Sequence, residues 1–274
     1  TFAHPKDMQD GLIEVTSDDI TTNLPYVPGV YMAFDHHTSE IARMGGGLDN
    51  HIIDGKAPSA ARVVYEYFGG KSRFPKISDN MMLAVDKADS AAFTRDDVLN
   101  PQGWELLSFI MDARTGLGRF KDFNISNYQL MMQLIEYCRS HNDINDILAL
   151  PDVKERVDLF QSHSEKSKAQ IERCARVNKN LVVLDLREED TIYASNRFMI
   201  YALFQQCNIS CHVMWGKNHQ NTVLAIGKSI LNKTSKTNIG ELCLKYGGGG
   251  HDAAGTCQLT NEKIDAQLKD IIST

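Results

Sequence analysis

The chain's reading turns on Val30-Tyr31-Met32-Ala33-Phe34-Asp35-His36-His37. Five apolar residues run without a polar break, after Pro28-Gly29 and before a polar cluster. Such a run suits a strand buried on both faces of a parallel sheet. Asp35, His36 and His37 then fall at the strand's carboxyl end, the edge where open α/β sheets bind ligands. A carboxylate beside two imidazoles suits a divalent cation or acid–base work. The tripeptide alone reads equally well as a solvated turn.

Working outward, residues 59–68 carry Ala60, Val63, Val64 and Tyr67 at helical spacing, with Pro58 before them and Gly69-Gly70 as a stop. Asp86 follows the apolar run 81–85, and Asp89 lies one helical turn further. On a helix the two carboxylates share a face, as a ligand pair or as an ordinary solvated surface. Residues 104–179 are mainly helical, with amphipathic stretches at 128–138 and along Val153, Val157, Phe160, Ile171 and Cys174. Beyond Lys179 the pattern changes. Residues 181–186, 191–194, 209–215 and 222–226 read as strands; 197–206 and 239–246 read as helices, the second capped by Asn238. The expected fold class is α/β. A parallel-sheet domain spans 1–150, a helical connector 151–180, and a smaller mixed-sheet domain 181–274.

The 274 residues are 42% hydrophobic and 23% charged, enough for a packed core. Mean hydropathy is -0.31, and no run nears the roughly 18 apolar residues of a membrane span. A net charge of -6 argues against a long-duplex nucleic-acid binder. The six cysteines are scattered, which reads as reduced, mostly buried thiols in a cytoplasmic protein. Cys207, Cys211 and His212 lack the second ligand pair of a zinc site. Gly247-Gly248-Gly249-Gly250-His251 exceeds what a helix cap needs, and bare backbone N–H groups suit an anionic ligand. Between residues 213 and 245 five lysines face one acid, Glu241, which fits an anion-binding face.

The strand-borne Asp35-His36-His37, with Gly-Gly-Gly-His near the C-terminus, resembles the DHH phosphoesterase superfamily and its DHH-associated C-terminal domain. The resemblance spans essentially the whole chain. It implies a hydrolase of a small phosphorylated nucleotide or short oligonucleotide, using two Mn²⁺ ions (Mg²⁺ being possible chemically) to activate water. The alternatives are an exopolyphosphatase or pyrophosphatase acting on polyphosphate, and a non-catalytic nucleotide-binding protein. Tyr193, Tyr201, Trp215 and Tyr246 offer stacking surfaces and tilt the reading toward nucleotides. No membrane partner is implied, and a homodimer stays open. Carried over, Asp35, His36, Asp86 and, in an alternative alignment, Asp89 correspond to metal ligands. Asp35 and His37 are the catalytic candidates. Gly248, Gly249, Gly250 and His251 correspond to a substrate loop. Arg197 and Ser229 lie where the second domain grips a phosphate, although a surface Arg or a capping Ser fits those positions as well.

Two departures stand out. No Asp-x-Asp first motif is present, since Asp7 and Asp10 have the wrong spacing, and the second-motif Asp is Asn23. Because the chain starts at Thr1, the missing motif is expected upstream. His4 or Asp7 is the expected substitute for Asn23, failing which one ion binds weakly.

Overall fold

The computed structural model describes residues 2–45 and 48–273. They form two units: residues 1–92, 103–105 and 125–150 in the first, residues 93–102, 106–124 and 151–274 in the second.

The first unit is built on a three-stranded parallel sheet, β1 (Ile20–Thr22), β2 (Met32–Asp35) and β3 (His51–Ile53), with β2 in the middle. Ala33 and Phe34 are fully buried, as a central strand covered on both faces requires. The strand starts two residues later than the apolar run suggests. Tyr31 N–H donates to Asp19 O and Val30 O accepts from Asn50, so the entry is held by loop contacts. It also runs one residue further, and Asp35 ends the ladder opposite Ile53. The helix Thr38–Met44 follows at once, so Asp35-His36-His37 makes the strand-to-helix turn.

Two more helices frame this turn. Ser59 caps Ala60–Tyr67 by accepting from Arg62 N–H, and Ser78 caps Asp79–Asp89 by accepting from Met81 N–H.

The second unit holds a mixed six-stranded sheet: β4 (Ala175–Asn178), β5 (Leu181–Asp185), β6 (Ile209–Trp215), β7 (Thr222–Lys228), β8 (Gly249–His251) and β9 (Ala254–Leu259). The spatial order is β4-β5-β6-β7-β9-β8, and only β5 and β6 run parallel. Val183, Cys211, Val213, Leu224 and Ile226 pack against Ile239, Leu242 and Cys243 of the helix Ile239–Lys245. Burial pushes the Cys211 and Cys257 thiols up to about 12, which makes them inert core groups.

Residues 191–194, expected as a strand, are irregular. Their backbone is satisfied by side chains: Tyr193 N–H donates to Gln170 and Ala194 N–H to His163, while Thr191 O accepts from Gln170. Both partners sit on the helix Pro151–Cys174, which takes the place of a neighbouring strand. No described helix is long and apolar enough to cross a membrane.

Candidate active site

Asp35 is 1% exposed, and its two oxygens differ sharply. Oδ1 accepts from the backbone N–H of His36 (2.8 Å) and His37 (3.3 Å), and from His37 Nδ1 (2.7 Å). Oδ2 is buried with no hydrogen-bond partner. Burial pushes the Asp35 pKa up, but the bonds from His37 and the His36 backbone outweigh it and leave the carboxyl below its usual range. The same contact raises His37, which keeps its proton to higher pH than a free imidazole.

His36 turns the other way. Its Nδ1 donates to Ala57 O at 3.1 Å, which fixes the tautomer and leaves a lone pair on Nε2. That buried Nε2 has no hydrogen-bond partner and lies 3.2 Å from Asp89 Oδ2, off the line a hydrogen bond needs. Asp89 is steadied by the Ala60 N–H (3.3 Å) at the start of the helix Ala60–Tyr67 and by the Asn23 amide (3.5 Å).

Asp86 shares the helix face but not the site. Ser59 Oγ donates to its Oδ1 at 2.7 Å, and Arg62 donates to its Oδ2 from Nε and an η nitrogen at 3.0 and 2.5 Å. Its oxygens are committed to holding two helices together. Asp35, His36, His37 and Asp89 are therefore brought together, with Asn23 behind Asp89. His4 instead caps the helix Pro5–Gln9 through its Nδ1.

Do these residues fit a cation? His36 Nε2 and Asp89 Oδ2 stand 3.2 Å apart, an ion pair with a protonated imidazole and two facing acceptors with a neutral one. Adjacent ligands of an octahedral ion at about 2.1 Å are about 3 Å apart, so the spacing suits a shared ion. Asp35 Oδ2 is a further buried acceptor without a hydrogen-bond partner. Among the described residues, no three His, Cys, Asp or Glu side chains form a group that could hold a metal ion on their own, so water or substrate oxygens would have to supply the remaining ligands.

The remaining candidates lie in the second unit. Gly249–His251 form the outer strand of a hairpin with β9. A Cβ on Gly248 would sit 2.1 Å from Thr256 O, and one on Gly250 2.3 Å from Ala254 O, so packing explains these two glycines. Gly249 has nothing within 4 Å and is the open position of the hairpin strand. His251 is exposed, and its Nδ1 accepts from Ala253 N–H. Ser229 is 4% exposed and accepts from the N–H groups of Leu231 and Asn232, the contacts of a turn former. Arg197 lies over the Phe198 ring at 4.3 Å and reaches Asp112 at 3.5 Å. Reading the sequence missed Arg62 and Ser59, which hold Asp86 and so separate the two aspartates.

No protein-family model matches the chain, and no curated protein matches it. Solved structures do. A pGpG-specific phosphodiesterase, PggH, from Vibrio cholerae superposes with a TM-score of 0.87 at 58% identity, covering 100% of this chain and 88% of that one. The DHH domain of a protein described as belonging to a family of ribosomal proteins matches with a TM-score of 0.56 at 11% identity. It covers 88% of this chain and 62% of that one, and shows the shared fold. An exopolyphosphatase-related protein from Bacteroides fragilis is more distant, with a TM-score of 0.46 and 15% identity over 90% of this chain and 64% of that one. Identity of 58% along the whole chain with a phosphodiesterase places this chain among hydrolases of phosphate esters. The chain belongs to the DHH phosphoesterase superfamily.

Proposed function

We propose that the chain hydrolyses the phosphodiester bond of a short 5′-phosphorylated oligonucleotide, with pGpG as the lead substrate, at a cation site on Asp35, His36 and Asp89. The observation that carries the reading is 58% identity along the whole chain with a pGpG-specific phosphodiesterase. The unpaired Asp35 Oδ2 and His36 Nε2 support the cation. Oxygen and imidazole donors without a thiolate favour Mn²⁺ or Mg²⁺. When bound, such an ion polarises a phosphoryl oxygen and lowers the pKa of water.

The chain's own residues do the rest. Asp35 holds His37 by Oδ1 while keeping Oδ2 for the ion. Ala57 O keeps the His36 proton on Nδ1. His37, half-exposed and with its pKa raised, offers a proton to a phosphoryl oxygen or to the departing alkoxide. Asn23 donates to Asp89 where the superfamily pattern has a carboxylate, so one negative charge is missing from the site.

The test is hydrolysis of pGpG, short RNA, 3′-phosphoadenosine phosphate and polyphosphate by purified protein with Mn²⁺, with Mg²⁺ or with chelator. The expected result is cation-dependent release of two GMP per pGpG, lowered at least about 100-fold by His36→Ala. Preference for polyphosphate would make the chain an exopolyphosphatase. Calorimetric binding of pGpG without turnover would make it a nucleotide-binding protein, the outcome that Asn23 favours.

A further inference from the structure

The hairpin that carries His251 turns through Asp252 and Ala253, because His251 pairs with Ala254 across it. Two backbone straps from other elements hold this turn. Lys228, the last residue of β7, donates its N–H to Ala253 O at 2.8 Å. Ile239, the first residue of the helix Ile239–Lys245, donates its N–H to Asp252 O at 3.1 Å. Side chains make a third strap: Lys228 Nζ donates to both carboxylate oxygens of Asp252, at 2.9 and 2.8 Å. The ring of His251 is fixed by the same turn. Its Nδ1 accepts from Ala253 N–H at 3.2 Å, so the proton of the neutral imidazole sits on Nε2. Every one of these groups lies inside the second unit.

The ion pair is lopsided, with 15% of the Lys228 side chain exposed and 69% of Asp252. A pair with one partner this exposed adds little to stability, about 0–1 kcal/mol. The hairpin is already held by its pairing with β9 and by Gly240, whose Cβ would meet Gly250 at 2.8 Å. Fixing the long lysine stem costs up to about 2 kcal/mol of rotamer freedom. What the pair contributes is therefore one geometry of the turn. It also cancels the charge of Asp252, an acid standing beside His251 in a loop that has to receive an anion under the function proposed above.

We infer that Lys228 and Asp252 are positioning residues for His251, an inference that rests on that function. Lys228 grips two consecutive residues, Asp252 by its side chain and Ala253 by its backbone, and the Ala253 N–H orients the imidazole. His251 thereby presents its Nε2–H to the nucleotide in one direction. Lys228 and Asp252 act through this ring and not on the substrate.

The test uses the full chain. Lys228→Met keeps the stem and removes the charge; Asp252→Asn keeps the shape and one acceptor. With isotope-labelled histidine, NMR reads the tautomer of His251 in the absence of substrate, the resonance being assigned by its loss in His251→Gln. The neutral ring is expected as the Nε2–H form alone in the wild type and as a mixture in Lys228→Met. Lys228→Met is expected to raise KM for pGpG about tenfold with kcat within about twofold, and to add less than about twofold in a His251→Gln background, as residues acting through one group do. Asp252→Asn is expected to move both readouts in the same direction, and it replaces Lys228→Met should that variant not fold. A single tautomer retained in both variants, or an undiminished loss in the His251→Gln background, overturns the inference. If the wild type cleaves pGpG and Lys228→Met keeps its KM and its tautomer, the inference is wrong and the proposed function stands. If the wild type does not cleave pGpG, the function fails, and the tautomer still decides whether the pair positions His251.

Discussion

Asp86 and Asp89 sit three residues apart on one helix and meet opposite surroundings. Asp86 is held by Arg62 and Ser59; Asp89 faces the lone pair of His36. Their amide variants should therefore separate fold from chemistry. Asp86→Asn leaves Arg62 without its strongest partner and should cost about 1–3 kcal/mol, seen as a lower Tm. Asp89→Asn keeps the shape and should leave Tm within a few degrees while cation-dependent turnover falls at least about 100-fold. A larger loss of turnover in Asp86→Asn than in Asp89→Asn, at matched folding, would reverse the assignment. The sequence carries the shared face of the two aspartates but not the choice between them. That choice is made by Arg62 and Ser59, 24 and 27 residues away in the chain. The roles of His36 and His37 are likewise set by which way each ring turns: one to Ala57 O, the other to Asp35.

At the scale of elements, the glycine hairpin combines two demands that look alike in sequence. Gly248 and Gly250 are pressed against the backbone of β9, and Gly240 of the helix Ile239–Lys245 is pressed against Gly250. An alanine at Gly248 or Gly250 forces the hairpin apart and should cost about 2 kcal/mol or more, by overpacking. Gly249→Ala meets nothing and should leave unfolding unchanged. If Gly249 lies under a bound substrate, the same variant raises KM; calorimetric and kinetic measurements on one protein sample separate the two effects. Strand β2 was legible because a run of buried apolar residues needs no partner to be recognised. Residues 191–194 were not, because their hydrogen bonds go to Gln170 and His163 on a distant helix. Alternation shows that a segment is half-buried, and says nothing about which groups meet its backbone.

For the molecule as a whole, two histidines of the second unit set an acid limit. Burial lowers His212 to about 4, and burial together with Lys166 and Arg119 lowers His163. Both bind protons more weakly folded than unfolded, so stability falls as pH drops below about 6.5 and, for His212, levels off below about 4. His37 has the opposite sign: its bond to Asp35 stabilises fully below about 6.5 and is lost as pH rises through its raised folded value. The two tryptophans fall one to each unit, Trp104 in the first and Trp215 in the second. Stability against denaturant, followed at Trp215, should weaken from about pH 7 to about pH 5, and His212→Leu should reduce that slope. An unchanged slope would place the acid sensitivity elsewhere.

The division of the chain also bears on how it can be cut. Residues 93–102 and 106–124 belong with the second unit although residues 125–150 return to the first. Inside the second unit Asn196 donates to Val98 O, and Phe198 packs on Phe93 and Phe109. Cutting the gene at any one codon between 93 and 150 would leave part of one unit's interior on the other's polypeptide. A single cut in the gene therefore releases neither unit whole.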